Sequence, residues 1–298
     1  MATVYILYNP LAGNGKGEEL ARSLGEKLSQ NVQYYDVTKV TNYAALLGGI
    51  AKNDQLVIAG GDGTLNRFVN DTASLDLDRE IFYYPMGTGN DFAHDLGMDA
   101  PEEPINVTRY LKDLPTVEIK GKTCHFINGI GFGIDGYCCQ VGDEQKKIPG
   151  KKVNYTAIAV KGVLYAFAAR NAKVTVDGES YTYKKVWIAP TMNGRFYGGG
   201  MMATPDQDRL SEDGKLSLMM FHGGSRLPTL MAFPGIFKGE HVKNKKMVAV
   251  HTGHEITVEF DRPTPLQIDG ETVLDVTSYT VRSGKIAPVR SRKEAVCV

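Results

Sequence analysis

Nothing in the 298 residues approaches the roughly 18 consecutive apolar positions of a membrane-crossing helix, so any membrane contact of this chain is expected to be peripheral. An excess of either charge is missing too. The 34 basic residues balance 34 acidic ones, which leaves no bulk positive field and removes the compositional reason to expect nucleic acid as a partner. Cysteine is scarce: Cys124, Cys138, Cys139 and Cys297 fit no metal-ligand spacing, and the adjacent pair makes a poor disulfide framework. A reduced, cytoplasmic setting is therefore expected. Residues Met1 to Tyr8 lack a basic leader and a cleavage signal and read as a first strand.

What is present is alternation. The first third carries short apolar runs at Val4 to Tyr8, Val32 to Val37, Leu56 to Ala59 and Ile81 to Tyr84. Helical patterns separate them at Glu18 to Leu28, from Thr41 or Asn42 through Ile50, at Thr64 to about Thr72, and from Asp91 to Leu96. This predicts an α/β domain with a parallel sheet, whose ligands sit beyond the carboxyl ends of the strands. Near Pro115 the period changes to short β-like runs punctuated by turns such as Asp177-Gly178, interrupted by one helix over roughly Val153 to Ala169. A second, mainly antiparallel domain follows, with the cleft between the two as the default site.

Three glycine-rich loops follow strands of the first domain. They are Asn9-Pro10-Leu-Ala-Gly13-Asn-Gly-Lys16-Gly17, then Gly60-Gly61-Asp62-Gly63-Thr64, then Met86-Gly87-Thr88-Gly89-Asn90-Asp91. In a parallel sheet all three open at one edge, where amides of Gly61 to Gly63 and Gly87 to Gly89 can surround a polyphosphate. The first is neither a Walker loop nor a Rossmann fingerprint. Asp62 is the unusual member, because a carboxylate beside phosphates calls for a metal or a catalytic task. Thr64 is an N-cap, a phosphate donor, or both; Lys16 is a phosphate counter-charge or an ordinary exposed lysine. Asp91 either caps the next helix or faces an acceptor or metal.

Two further acidic groups lie far along the chain. In Ile268-Asp269-Gly270-Glu271, residues two apart share a face and bring both carboxylates together if the strand continues; the alternative is a surface Asp-Gly turn. Asp269 is the candidate general base and Glu271 its assistant or metal partner, since a hydroxyl needs a carboxylate to orient it and take its proton. Glu212-Asp213-Gly214 can hold a hard cation through carboxylate and carbonyl oxygens, or is an acidic hairpin.

The combination of NPxxG, GGDGT, GTGNDFA, Asn193-Gly194 with Tyr197 to Gly200, the EDG turn and the late IDGE resembles the diacylglycerol kinase catalytic family, especially its bacterial soluble lipid kinases. The resemblance runs nearly end to end. It implies a nucleotide-binding α/β domain over residues 1–115, completed by 275–298, and a β-sandwich-like lipid domain over 116–274. ATP with Mg²⁺ would bind between them, and the γ-phosphate would pass to a lipid hydroxyl, converting diacylglycerol to phosphatidic acid. By this resemblance Asn9, Pro10, Gly13, Lys16 and Gly60 to Thr64 belong to the nucleotide site, Gly87 to Asp91 form the second phosphate or acceptor loop, Asp269 is the base and Glu271 its companion. Asp213 is implied as a structural Mg²⁺ ligand, with Glu212 and Asp62 as further metal candidates. Ala12 departs from the serine common in the first motif, and His94 stands where arginine often follows NDFA. The expected partners are ATP, a lipid alcohol, the inner membrane face and, because homodimers are the commonest assemblies, a second copy. An NAD kinase-like transfer to a dinucleotide, or a sensor that binds without turnover, are the rival readings.

Overall fold

The alternating first third builds a five-stranded sheet. In the computed structural model, which describes residues 2–28, 31–148 and 153–285, β1 (Thr3–Tyr8) lies parallel to β2 (Asn31–Asp36) on one side and β3 (Gln55–Gly60) on the other. Strand β4 (Ile81–Pro85) continues in parallel and β5 (Ile105–Asn106) closes antiparallel, giving the order β2-β1-β3-β4-β5. The distorted turn α1 (Ala12–Gly15) and helix α2 (Gly17–Leu28) follow β1; α3 (Tyr43–Gly48) precedes β3, and α4 (Asp62–Asp71) and α5 (Asp91–Asp95) leave β3 and β4. Side-chain alternation explains the layers. Val4, Ile6, Val57 and Ala59 pack with Ala21 and Leu24 of α2, whereas Leu7, Leu56 and Ile58 pack with Leu47, Leu65 and Phe68 on the other face. Asn42 caps α3, its Oδ1 accepting the Ala45 amide at 3.0 Å.

Among the described residues the second sheet has ten strands, every neighbouring pair antiparallel. They are β6 (Thr116–Ile119), β7 (Lys122–His125), β8 (Gly129–Phe132), β9 (Arg170–Val176), β10 (Glu179–Val186), β11 (Thr191–Met192), β14 (Leu216–Phe221), β15 (Val248–Gly253), β16 (Glu255–Ile268) and β17 (Glu271–Arg282). The small ribbon β12 (Phe196–Tyr197) with β13 (Met201–Met202) stands apart. Along β14, Leu216, Leu218 and Met220 join Phe132, Val258 and Leu266 in one core. Met219 and Phe221 point the other way, against Ile158 of α7 (Tyr155–Lys161), Val163 and Phe167.

Two expectations need correction. The helix foreseen at Val153 to Ala169 is α7 followed by a π turn over Gly162–Ala166, and it has company in α6 (Ile134–Lys146) and α8 (Arg226–Ala232). Residues from 275 onward do not complete the first sheet as far as they are described. Strand β17 pairs with β16 along its length and with β6 at its end, because the Asp269-Gly270 turn folds it straight back into the antiparallel sheet. Residues 286–298 of that expectation lie outside the described residues.

Candidate active site

Strand order reverses between β1 and β3, the switch point at which open α/β sheets bind their ligands. The three glycine loops meet there as expected. A Cβ on Gly87 would sit 2.7 Å from the Gly61 Cα, and one on Gly13 would sit 3.3 Å from the Met86 carbonyl oxygen. Only glycines allow this backbone approach. Hydrogen bonds fix it: the Asn9 amide donates to Thr64 Oγ1 at 2.9 Å, Met86 N to the Gly60 carbonyl at 2.8 Å, and Gly87 N to Asn90 Oδ1 at 2.8 Å. The Pro10 carbonyl accepts the Gly17 amide at 3.3 Å. Gly61 is the N-cap of α4, three residues before Thr64, so the amides of Asp62 and Gly63 have no acceptor within the helix. Thr64 is thus an interior residue of the first turn rather than its cap. Thr88 and Gly89 are exposed at the loop tip, and Lys16 is exposed at the end of the first loop.

The carboxylates of these loops have protein partners. Asp62 accepts the amides of Asp91 at 2.8 Å and Phe92 at 3.1 Å, and so caps α5 across the gap between two loops. Burial and the charge of Asp91 push its carboxyl up to about 7, against the pull of those two amides. Asp91 in turn accepts the amides of Gly199 at 2.8 Å and Gly200 at 2.6 Å, from the segment between β12 and β13. Burial raises its carboxyl as well.

Asp269 faces the same region from the second sheet. It does not continue β16: both Asp269 (φ 44) and Gly270 (φ 93) are left-handed, the conformation of a two-residue hairpin turn. Glu271 therefore opens β17 opposite Ile268 and is exposed, and the expected pairing of the two carboxylates on one face does not form. The Asp269 carboxylate instead turns inward. Oδ2 accepts Ile127 N at 2.6 Å and Asn66 Nδ2 at 2.7 Å, and Oδ1 accepts Asn128 N and Gly129 N, each at 2.9 Å. Burial raises this carboxyl, and the donors oppose the rise. Those donors occupy both oxygens, about the full capacity of a carboxylate.

The proposed metal ligands are not gathered. Among the described residues no three His, Cys, Asp or Glu form a metal-holding group. Glu212 and Asp213 are exposed, and Asp213 is held by the Lys215 amide at 3.3 Å and the Lys215 ammonium at 3.2 Å, which keep its carboxyl below the ordinary range. A resident ion does not fit there, since it would compete with that lysine and draw its remaining ligands from water. Asp62 fits better with an ion delivered by a nucleotide: Mg²⁺ needs only one or two carboxylates besides phosphate oxygens and water.

The sequence matches known family models on both halves. The family model described as the diacylglycerol kinase catalytic domain matches residues 3–120. The one described as the YegS C-terminal NAD kinase beta sandwich-like domain matches residues 128–288, more than half of the chain. The chain belongs to the diacylglycerol kinase family of lipid kinases. Family relatives include a protein named diacylglycerol kinase from Mycobacterium tuberculosis (strain ATCC 25618 / H37Rv), 29% identical over 254 residues and covering 80% of each chain. A candidate lipid kinase, YtlR of Bacillus subtilis (strain 168), is 25% identical over 97% of this chain and 99% of its own. A crystal structure of a candidate diacylglycerol kinase from Bacillus anthracis str. Sterne shares the fold, with a TM-score of 0.65 at 20% identity over 95% of this chain and 93% of that one.

Sequence reading missed several residues of this diacylglycerol kinase-family site. Asn66 carries no motif signal beyond its place one helical turn after Asp62. Asp95 binds Arg195 Nε at 2.7 Å and Arg209 Nη2 at 2.6 Å, and Arg209 also reaches the Ile127 carbonyl and Asn128 Oδ1 at 3.1 Å each. Asp135, at the start of α6, is buried with its carboxyl pushed up to about 6; Oδ2 accepts the Tyr197 hydroxyl at 3.1 Å and Oδ1 has no partner among the described residues. The acid that ends the glycine-alternating run Gly129-Ile-Gly-Phe-Gly-Ile134 was the available signal.

Proposed function

We propose that this lipid-kinase family member transfers the γ-phosphate of ATP to a lipid hydroxyl, with diacylglycerol as acceptor and phosphatidic acid as product. The observation that carries the reading is the 2.7 Å bond between Asn66 and Asp269. It puts the IDG turn about 6 Å, one helical turn, along α4 from the glycine turn that starts that helix. Amides of Gly61 to Gly63, Thr88 and Gly89 receive the phosphates, with Asn9, Pro10, Gly13, Lys16, Thr64, Gly87 and Asn90 around them. Mg²⁺ accompanying the nucleotide would supply positive charge to the triphosphate, and Asp62 and Asp91 are the residues that would hold it. The acceptor hydroxyl takes the place of the Asn66 amide, the one side-chain donor on Asp269 among the described residues, and so gains an oriented carboxylate. Its oxygen bonds to the γ-phosphorus as the bond to the β–γ bridging oxygen breaks. The hydroxyl proton goes to Asp269 and ADP leaves.

The lipid end has its own support. Tyr165, Met231 and Leu227 are 80%, 76% and 63% exposed, and Val160 and Phe237 are exposed beside them on the helical layer over the second sheet. This layer suits contact with a bilayer surface. Val163 and Phe167, in the turn that follows α7, face the core beneath this layer. Among the described residues no helix is long and apolar enough to cross a membrane. The test is ATP consumption by purified protein with diacylglycerol, a sphingoid base, phosphatidylglycerol and NAD, beside Asp269→Asn. Turnover with diacylglycerol that falls at least 100-fold in the variant is expected. Turnover with NAD alone would move the acceptor to a dinucleotide, and saturable ATP binding without turnover would make the protein a sensor.

A further inference from the structure

A cavity of about 450 Å³ lies at the other end of α4 from the glycine turn. Its lining begins at Phe68, six residues or about 9 Å along the helix from Asp62, and none of the three glycine loops contributes to it. Apolar walls come from Phe68, Val69, Leu75, Leu77, Leu111 and Leu114. Cationic and ionisable groups are set into the same lining: Arg79, Lys112 and His125, with Asp113 the one acid. None of these four takes part in a salt bridge among the described residues, and in the lining the basic Arg79 and Lys112 outnumber Asp113.

Two of the lining residues each carry a buried, unmet polar atom. Arg79 spends Nη2 on the Ile50 carbonyl at 2.8 Å, yet its Nη1 is buried without a partner among the described residues, and so is His125 Nδ1. Leaving such a group unsatisfied costs about 1–3 kcal/mol, and more where it is charged. A guanidinium arm can only donate, and a histidine nitrogen donates in one tautomer or when protonated, so the chemistry of each suits an anionic oxygen. The apolar walls ask for hydrocarbon, and the volume lies within the roughly 300–1,000 Å³ usual for small-molecule sites.

We propose that this cavity is a second ligand site, separate from the glycine loops, for an anionic amphiphile: an acyl chain ending in a carboxylate or phosphate monoester. The head group meets Arg79 and His125 and the chain lies along the leucines. The site does not depend on the transfer reaction proposed above.

Calorimetric titration of the full chain with 1-oleoyl lysophosphatidic acid below its micelle-forming concentration tests it, with oleate, monooleoylglycerol and inorganic phosphate as separate arms. Saturable binding of at least one of the two anionic acyl probes is expected, at least tenfold weaker in Arg79→Met and abolished in Leu111→Trp, which fills the cavity. Binding should be unchanged in Asp62→Ala, which disables the proposed nucleotide site, so the two readings can fail separately. A photoreactive acyl version of the bound probe should label peptides within residues 68–79 or 108–125 of the unaltered protein, a readout that needs no variant to fold. No binding of either anionic probe, equal affinity for monooleoylglycerol, binding of phosphate as tight as that of the lipids, or labelling confined to other peptides would overturn the proposal.

Discussion

Asp62 sits among glycines whose amides suit anions, yet its own carboxyl is pushed to about 7 by burial and by Asp91 beside it. The ordinary value, 3.8, applies to the unfolded chain. A folded pKa above the unfolded one means that the folded chain holds a proton the unfolded chain has already lost. The resulting stability is complete below about pH 4 and is lost as pH rises through about 7. Asp62→Asn keeps an oxygen for the α5 amides and removes the titration. Between pH 5 and pH 8 the native protein should therefore lose about 2–3 kcal/mol more stability than the variant does. Urea denaturation at both pH values measures this directly, and parallel losses would show that Asp62 ionises normally in the fold. The same residue explains why its role was only half legible. Sequence reading asked for a metal or a catalytic task to justify a carboxylate at that turn, whereas the structure gives it two amides of a neighbouring loop.

Loops and helices show where pattern suffices and where it fails. Convergence of the three glycine loops followed from the parallel order alone, and the contact is close enough to test: a Cβ at Gly87 would meet the Gly61 Cα at 2.7 Å and Asn90 Oδ1 at 2.6 Å. Gly87→Ala should therefore part the loops and lower transfer at least tenfold while the thermal midpoint falls by only a few degrees. Gly48→Ala, at the end of α3 with nothing within 4 Å of the added Cβ, should leave both readings near those of the native protein. Equal activity of Gly87→Ala and the native enzyme would remove the loop contact from the mechanism. The hairpin turn was legible as a turn and misread as a strand. Asp-Gly is the dipeptide that such turns favour, and a turn of that type breaks the period of two on which pairing Asp269 with Glu271 relied. Helix α6 escaped because Gly136 and Gly142 lower its helical signal. Each marks close packing: a Cβ would lie 2.1 Å from the Pro265 carbonyl oxygen at Gly136 and 2.6 Å from the Tyr155 ring at Gly142. Such contacts are long-range and leave no periodic trace.

At the scale of the whole molecule the two sheets are joined by polar groups at the candidate site. Asn66 of α4 holds Asp269, Asp91 of α5 holds Gly199 and Gly200, and Asp95 of α5 holds Arg195 and Arg209. The third link is the deepest. The Asp95 and Arg209 side chains are 5% and 4% exposed, and the guanidinium also lies over the Phe92 ring, 4.7 Å from its centroid. Arg282, by contrast, meets Glu118 and Glu255 at the surface, with side chains about half exposed. Distance alone would rank these bridges together, since all lie within 3 Å. Burial separates them, because removing one partner of a buried pair strands the other charge away from water while an exposed partner rehydrates. Arg209→Met should cost about 3–5 kcal/mol of unfolding free energy, and Arg282→Met less than about 1 kcal/mol. Arg195 remains on Asp95 and sets the lower end of that range. Because Arg209 also binds the Ile127 carbonyl and Asn128 Oδ1, within the segment whose amides hold Asp269, its loss should reduce kcat even where the protein is folded. Denaturant titration paired with the ATP-consumption assay reads both effects. A destabilised Arg209→Met enzyme with undiminished kcat at a temperature where it is folded would confine that residue to joining the sheets.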